Sequence, residues 1–317
     1  AIRADFEDKD FNKIYLVNDG SKKKVFLPSY RERADEVFYV DIDGVNAVND
    51  FTYVSGGYES NEELEMNGQE IYAIFDYGSG GNVPDLDFVE DITQFGYHSV
   101  VDEYNAVSSF ASLLKGFAGK KCTGLNSKTT SGSGNSQDYS MFAKDSNIET
   151  LGSFVPFNIT YVYSMFENAK NFKDSVVNWD VARVTDFTKM FAGIPHFNQA
   201  VGTWTARPNK MNGMFKGCTN FNQNLNDWDW SGISWDANNG TNDCFVGTSY
   251  NQDMSGVVFP GGTQATSWGF DEVPSWTGDG LGADACGTNE GEIDDSVDPN
   301  RPWGRPHYYS TEVVCKA

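Results

Sequence analysis

Between Tyr139 and about Phe259 the apolar positions recur with a long period instead of the short period of a helix or a strand. In three copies a Met is followed by a Phe (Met165-Phe166, Met190-Phe191, Met214-Phe215), a second Phe stands seven residues after the Met (Phe172, Phe197, Phe221), and a Trp stands fourteen after it (Trp179, Trp204, Trp228). Weaker copies flank these: Met141-Phe142 with Ile148 and Val155, and Cys244-Phe245 with Tyr250 and Val258. A unit of about 24 residues is too short to bury its own apolar face, so copies must stack and each must cover the next. The pattern therefore predicts that these twelve Met, Phe and Trp residues are an internal ladder. Each rung is worth roughly 1.5 to 3 kcal/mol of burial.

Outside the ladder the periods shorten. Lys13 to Val17 and Lys23 to Leu27 alternate around Asn18-Asp19-Gly20-Ser21 and predict a β-hairpin, with Lys22, Lys23 and Lys24 as solvated charge on an edge. Further strands are expected at 37–42, 51–55 and 71–77, giving a small β-sandwich or barrel-like domain over residues 1–95. Residues 96–138 hold a capping helix and a linker: Tyr104, Val107, Phe110, Leu114 and Phe117 recur three or four apart from Ser99 to Lys115, and 123–137 is rich in Ser, Thr, Gly and Asn. The array occupies 139–259. From Pro260 the ladder stops, and 260–317 reads as an irregular acidic cap with Gly, Pro and unperiodic Trp. The fold class expected is mainly β with few helices.

Composition narrows what such a chain can do. A net charge of −22 over 317 residues repels nucleic acid and anionic lipid. No run approaches the roughly 18 apolar residues a membrane span requires. The opening Ala1-Ile2-Arg3 has no apolar core of a signal peptide and fits either a removed signal or a clipped initiator Met. Five scattered cysteines lack zinc-module spacing, although Cys286 and Cys315 could staple the tail.

Candidate chemistry is sparse. Walker-type and nucleophile-elbow motifs are absent, and His98, His196 and His307 stand in separate segments. No catalytic residue is assigned and the chain is expected not to be an enzyme; a carbohydrate-active enzyme is the alternative. No cofactor is expected, with calcium the one possibility. The acidic run containing Glu292, Asp294 and Asp295 and the pair Asp41 and Asp43 offer oxygen ligands, but neither matches an EF-hand loop. Trp230 and Trp235 are candidates for outward aromatics that stack on a partner.

Val184-Thr185-Asp186-Phe187-Thr188-Lys189-Met190-Phe191-Ala192-Gly193 and Gly213-Met214-Phe215-Lys216-Gly217-Cys218-Thr219-Asn220-Phe221-Asn222-Gln223, closed by Asn178-Trp179-Asp180 and Asp227-Trp228-Asp229, resemble the BspA-like, leucine-rich-repeat-like family of surface proteins. The resemblance covers residues 139–259 and implies a short solenoid used for adhesion or partner binding. The chain departs from the pattern at Arg207-Pro208-Asn209 and in the expansion from Ser231 to Asn242. Arg207 and Asn209 are thus candidate partner contacts beside Trp230 and Trp235. Together these readings lead to the expectation of a surface-displayed structural or binding protein on a virion, such as a phage decoration, fibre or knob protein. The alternative location is extracellular or on a cell surface, as an adhesin. Partners expected are a protein or glycan on a cell or virion surface, other virion proteins and a second copy of the chain. Nucleic acid and membrane insertion are not expected.

Overall fold

A computed structural model describes residues 12–28, 40–42, 45–46, 51–73, 86–94, 110–125, 137–233, 243–250 and 252. The chain divides into two compact units. One comprises 1–137, 142–156 and 171–174, the other 138–141, 157–170 and 175–317. The fold is mainly β. Among the described residues there is no α-helix, and the helical turns are two 3-10 turns at Val201–Thr203 and Trp230–Gly232.

In the first unit, β1 (Asn12–Leu16) is flanked by β9 (Glu70–Ala73) and β10 (Val89–Gln94), and the sheet continues through β4 (Val40–Ile42) to β5 (Val45–Asn46). Register sets Ile14 opposite both Ile71 and Ile92, and all three are fully buried. Alternation explains the choice of face, because Ile14 and Leu16 point inward while Tyr15 points out. A second sheet joins β3 (Phe26–Pro28), β7 (Gly57–Ser60) and β6 (Phe51–Val54), where Tyr53 and Tyr58 meet edge to face at 5.3 Å. A third pairs β2 (Asn18–Lys23) with β8 (Leu64–Asn67). All these pairings are antiparallel and the sheets are open at their edges among the described residues.

The expected hairpin through Asp19-Gly20 does not form. Both edges of β1 are taken by β9 and β10, so the chain beyond Val17 pairs elsewhere. Asp19, Gly20 and Ser21 instead bulge out of β2 between the pairs Asn18 with Asn67 and Lys22 with Glu65. Gly20 takes a φ of +69°, and the Asp19 carboxylate accepts a hydrogen bond from the Ser21 amide at 2.9 Å. The lysines after the bulge are not all solvated: Lys23 pairs with Asp87 at 3.3 Å and Lys24 donates to the Ser60 carbonyl at 2.7 Å.

The expected capping helix is corrected at its described end only. Residues 96–109 lie outside the described set, but Phe110 to Phe117 is a turn with Ser112 at φ +58° and Gly116 at φ +71°. Two left-handed residues four apart recur at Met141 and Asp145, Ser164 and Asn168, Lys189 and Gly193, Gly213 and Gly217, and Asp243 and Gly247. The described end of the expected helix, from Phe110, is thus a further copy of the repeat turn. Within the first unit it bonds to its successor as the other copies do, Leu114 N–H to Phe142 C=O at 2.7 Å and Gly116 N–H to Lys144 C=O at 2.9 Å. The same two links recur in the second unit as Phe191 to Met214 and Gly193 to Lys216, and as Phe215 to Cys244 and Gly217 to Val246.

The array also begins without a free strand edge. The far side of β10 is covered by residues 121–124, where Ile92 N–H donates to Lys121 C=O and the Asp91 carboxylate accepts from the Thr123 amide and hydroxyl. Lys121 in turn bridges Thr150 in parallel.

Candidate functional site

The twelve repeat anchors are all buried, with relative exposures of 0 to 5%. Their regularity is geometric. Phe166, Phe191, Phe215 and Phe245 stack in one column at 6.0 to 6.4 Å between centroids. Phe197, Phe221 and Tyr250 form a second column at 6.1 Å, and Trp204 lies parallel to Trp228 at 6.3 Å. Trp is required at its rung because the indole N–H has a fixed acceptor: Trp204 donates to Val176 C=O and Trp228 to Val201 C=O, both at 3.0 Å.

The weaker copies are corrected in register. Met141 is only half-buried and sits at the left-handed position, so Phe142 occupies the place of the Met rung. Val155 is 50% exposed, and it is Phe154 that packs on Phe110 and Phe142. Val258 lies outside the described residues.

The polar part of the repeat is also spent on backbone. Asn198 Oδ1 accepts from the Asn222 amide and from Gln223 Nε2, both at 2.9 Å, and one copy later Asn222 Oδ1 accepts from Gln252 Nε2 at 2.9 Å. Gln199 Oε1 accepts from the Val176 amide at 2.7 Å. The Phe-Asn-Gln phrase is therefore a clamp between copies.

The breaks in the ladder behave unevenly. Arg207 and Asn209 are exposed, and the Arg207 guanidinium lies 3.9 Å from the Asp229 carboxylate. Asp229 caps the turn at Trp230–Gly232 by accepting from the Ser231 amide and hydroxyl, and those bonds, the hydroxyl's first, hold its carboxyl below the ordinary range. Trp230 is not the outward aromatic expected. It is 4% exposed, stacks on Trp228 at 5.8 Å and donates its indole N–H to Leu225 C=O at 3.0 Å. It opens the 3-10 turn two residues after buried Trp228 and faces inward with it. Trp235, Glu292, Asp294, Asp295, Asp43, Cys286 and Cys315 lie outside the described residues, while Asp41 belongs to β4. Among the described residues no group of three acidic, His or Cys side chains is placed to hold a metal.

Cys122, Cys218 and Cys244 are free thiols in the core. Burial pushes all three up, Cys218 to about 12, so they stay protonated and unreactive at neutral pH. Cys218 acts as a packing residue whose thiol donates to Phe191 C=O at 3.1 Å.

What faces outward in the second unit is a set of polar–apolar–polar triplets just before each turn: Asp138-Tyr139-Ser140, Asp186-Phe187-Thr188 and Lys210-Met211-Asn212. The middle residue is buried and the outer two are half-buried or exposed. The triplets lie side by side, linked by Tyr139 N–H to Tyr161 C=O at 2.8 Å, Ser164 N–H to Thr188 C=O at 2.9 Å and Phe187 N–H to Lys210 C=O at 2.8 Å. One triplet, on the end of β12 (Ile159–Tyr161), breaks the rule. Tyr161-Val162-Tyr163 has rings where its neighbours have Asp, Ser, Thr, Lys or Asn, and these rings are 57% and 44% exposed. β11 (Gln137–Asp138) leads into the preceding triplet. Aligning the triplets by their turns would have singled out both tyrosines from sequence; alignment on the Met and Phe rungs passes over them.

No curated protein and no solved structure matches the chain. Residues 137–256 match the model of a family described as "Mycoplasma protein of unknown function, DUF285". That stretch is similar to a BspA-related repeat family in outline, and the recurring turn reaches beyond it on the N-terminal side, to Phe110.

Proposed function

We propose that the protein is a non-enzymatic display and binding protein whose repeats form a short solenoid, with an N-terminal sandwich-like domain as its attachment. The observation that carries this reading is the division of labour within each repeat. The recurring residues are consumed by packing and by bonds between copies, whereas the outer positions of the triplets vary from copy to copy. A surface whose scaffold is constant and whose outer side chains are free to differ is the arrangement repeat proteins use for recognition. The partner is a protein or glycan on a surface, and the carrier is a virion. The acidic chain, with its net charge of −22, suits a soluble particle ornament. A cell-surface adhesin is the second reading, favoured by the family description, which names a bacterium.

Fractionation tests this. Purified particles, washed cells and cleared medium of the source organism are each assayed for the chain by mass spectrometry. Enrichment in particles supports the first reading and enrichment on washed cells the second. Recovery from the cytosol alone would refute both.

A further inference from the structure

We propose that Tyr161 and Tyr163 form an aromatic platform that binds a neutral carbohydrate chain. The proposal rests on the reading of the array as a binding surface and assigns it a site. The two rings stand two residues apart on either side of buried Val162, so the alternation of an extended segment places them on one face. Among the described residues neither hydroxyl has a partner, in contrast to the buried Tyr139, whose hydroxyl accepts from the Phe157 amide. Ring faces open to water beside free hydroxyls suit a ligand that is apolar on its C–H face and polar at its rim.

The flanks select the ligand class further. Asp138 and Asp186 occupy the corresponding first positions of the triplets on either side. Each spends one carboxylate oxygen on a backbone amide, Ser140 at 2.8 Å and Thr188 at 2.9 Å, which fixes the side chain and leaves the second oxygen to accept from a sugar hydroxyl. The cations of the adjoining copy are engaged: Arg183 donates to Asn158 and Lys189 pairs with Glu167. A sulfated or sialylated chain would therefore meet the Asp138 and Asp186 carboxylates at the two flanking positions, with Lys189 already paired to Glu167 and Arg183 turned to Asn158. A protein partner fits less well. At 57% and 44% exposure the two rings offer roughly 200 Å². A stable protein interface needs about 800 Å² per side with an apolar centre, and the residues flanking the rings are polar.

The experiment uses the full chain on immobilised neutral polysaccharides (β-glucan, mannan and galactan), with heparin and polysialic acid as anionic controls. Retention on at least one neutral polysaccharide, competed by its own soluble oligosaccharide, is expected. The double variant Tyr161→Ala/Tyr163→Ala should lose about tenfold or more in affinity at an unchanged melting temperature, and Tyr161→Phe/Tyr163→Phe should keep most of it. Retention on no neutral polysaccharide, binding to the anionic supports alone, or equal retention of the double alanine variant would overturn the proposal. So would a double variant that has lost a protein partner but no sugar. If the unaltered chain localises to particles or cells but is retained on no neutral polysaccharide, the tyrosine site falls and the broader reading stands.

Discussion

The β-sheets of residues 12–94 and the repeat turns of residues 157–250 are both held by backbone bonds between extended segments, but they recruit their partners from different distances along the chain. β1 pairs with strands that lie more than fifty residues away, and a single residue, Ile14, sits opposite both Ile71 and Ile92. In the array each segment bonds to the copy one repeat away, as Phe191 does to Met214 and Phe215 to Cys244. Long-range pairing couples distant segments in one step, whereas nearest-neighbour pairing transmits a disturbance only copy by copy.

The largest effects expected are in the two cores, and they test that contrast directly. Phe215 lies 3.8 Å from Phe221 and within stacking distance of Phe191 and Phe245, so Phe215→Ala should cost about 3 to 5 kcal/mol. Ile14→Ala should cost about 2 to 5 kcal/mol at the centre of its sheet. Native-state hydrogen exchange separates the two by reach. With Phe215→Ala, the amides of Phe191 and Phe215 should lose more protection than that of Ser164, two copies away. With Ile14→Ala, the amides that bond β1 to β9 and to β10 should lose it together. Equal loss at Ser164 and Phe191 would mean that the array melts as one body, and the contrast would be wrong.

The two regions also differed in how far their residues announced them. In the array the rungs were legible because an aromatic at a fixed spacing leaves one interpretation. The copy at Phe110 to Phe117 was not, because Leu113 and Leu114 replace Met and Phe, and because Phe110, Leu114 and Phe117 happen to repeat at helical spacing. The left-handed Ser112 and Gly116 break that helix, and serine does not advertise such a conformation. Trp230 reads as an outward aromatic because Trp228 already fills the Trp rung, but its ring packs against Trp228 instead. In the sheets the opposite holds: the strands expected at 13–17, 51–55 and 71–77 are visible from their β-branched and aromatic residues and overlap those at 12–16, 51–54 and 70–73, but their partners are not. An Asp-Gly pair is a strong local signal for a hairpin, and it lost to two strands that occupy both edges of β1. The exposed tyrosines were legible in principle, as aromatic substitutions in a polar column.

Left-handed glycines give an intermediate effect and a sharper version of the comparison. Gly20, in the bulge of β2, has nothing within 4 Å of where a Cβ would stand, so Gly20→Ala should cost only the backbone strain of about 1 to 2 kcal/mol. In the array, Gly217→Ala should behave alike, since its Cβ would lie 3.6 Å from Gly193 Cα, an ordinary contact. Gly193→Ala should cost somewhat more than either, because its Cβ would meet Asn168 Oδ1, the end of a side chain in the preceding copy's turn that must swing aside. Denaturant midpoints of the three variants rank them. If Gly193→Ala proved no worse than Gly217→Ala, the Asn168 side chain would not be held in place between the copies.

The smallest effect concerns a device both regions share. Asp19 and Asp229 each accept a bond from the amide of a serine two residues on, Ser21 and Ser231. In both, the adjacent serine, its side chain first and its amide second, holds the carboxyl below the ordinary range, though of the two hydroxyls only that of Ser231 makes a hydrogen bond. A carboxyl lowered in the folded state favours folding above its unfolded pKa of about 4, and that contribution is lost as pH falls through the lower folded value. Asp19→Asn and Asp229→Asn should each therefore reduce stability slightly at pH 7 and leave it unchanged in acid below both values, as read from denaturant midpoints against pH. Salt distinguishes the two sites. Each has a cation as a minor cause of the lowering, but Arg207 lies 3.9 Å from Asp229 in an exposed contact, whereas Lys23 is paired with Asp87 instead of Asp19. High salt screens exposed ion pairs and spares short bonds to an amide. Part of the Asp229 effect should then fade in salt, and Arg207→Gln should remove that same part and no more. A salt response at Asp229 that survives Arg207→Gln would show that its acid sensitivity comes from the net charge of the chain.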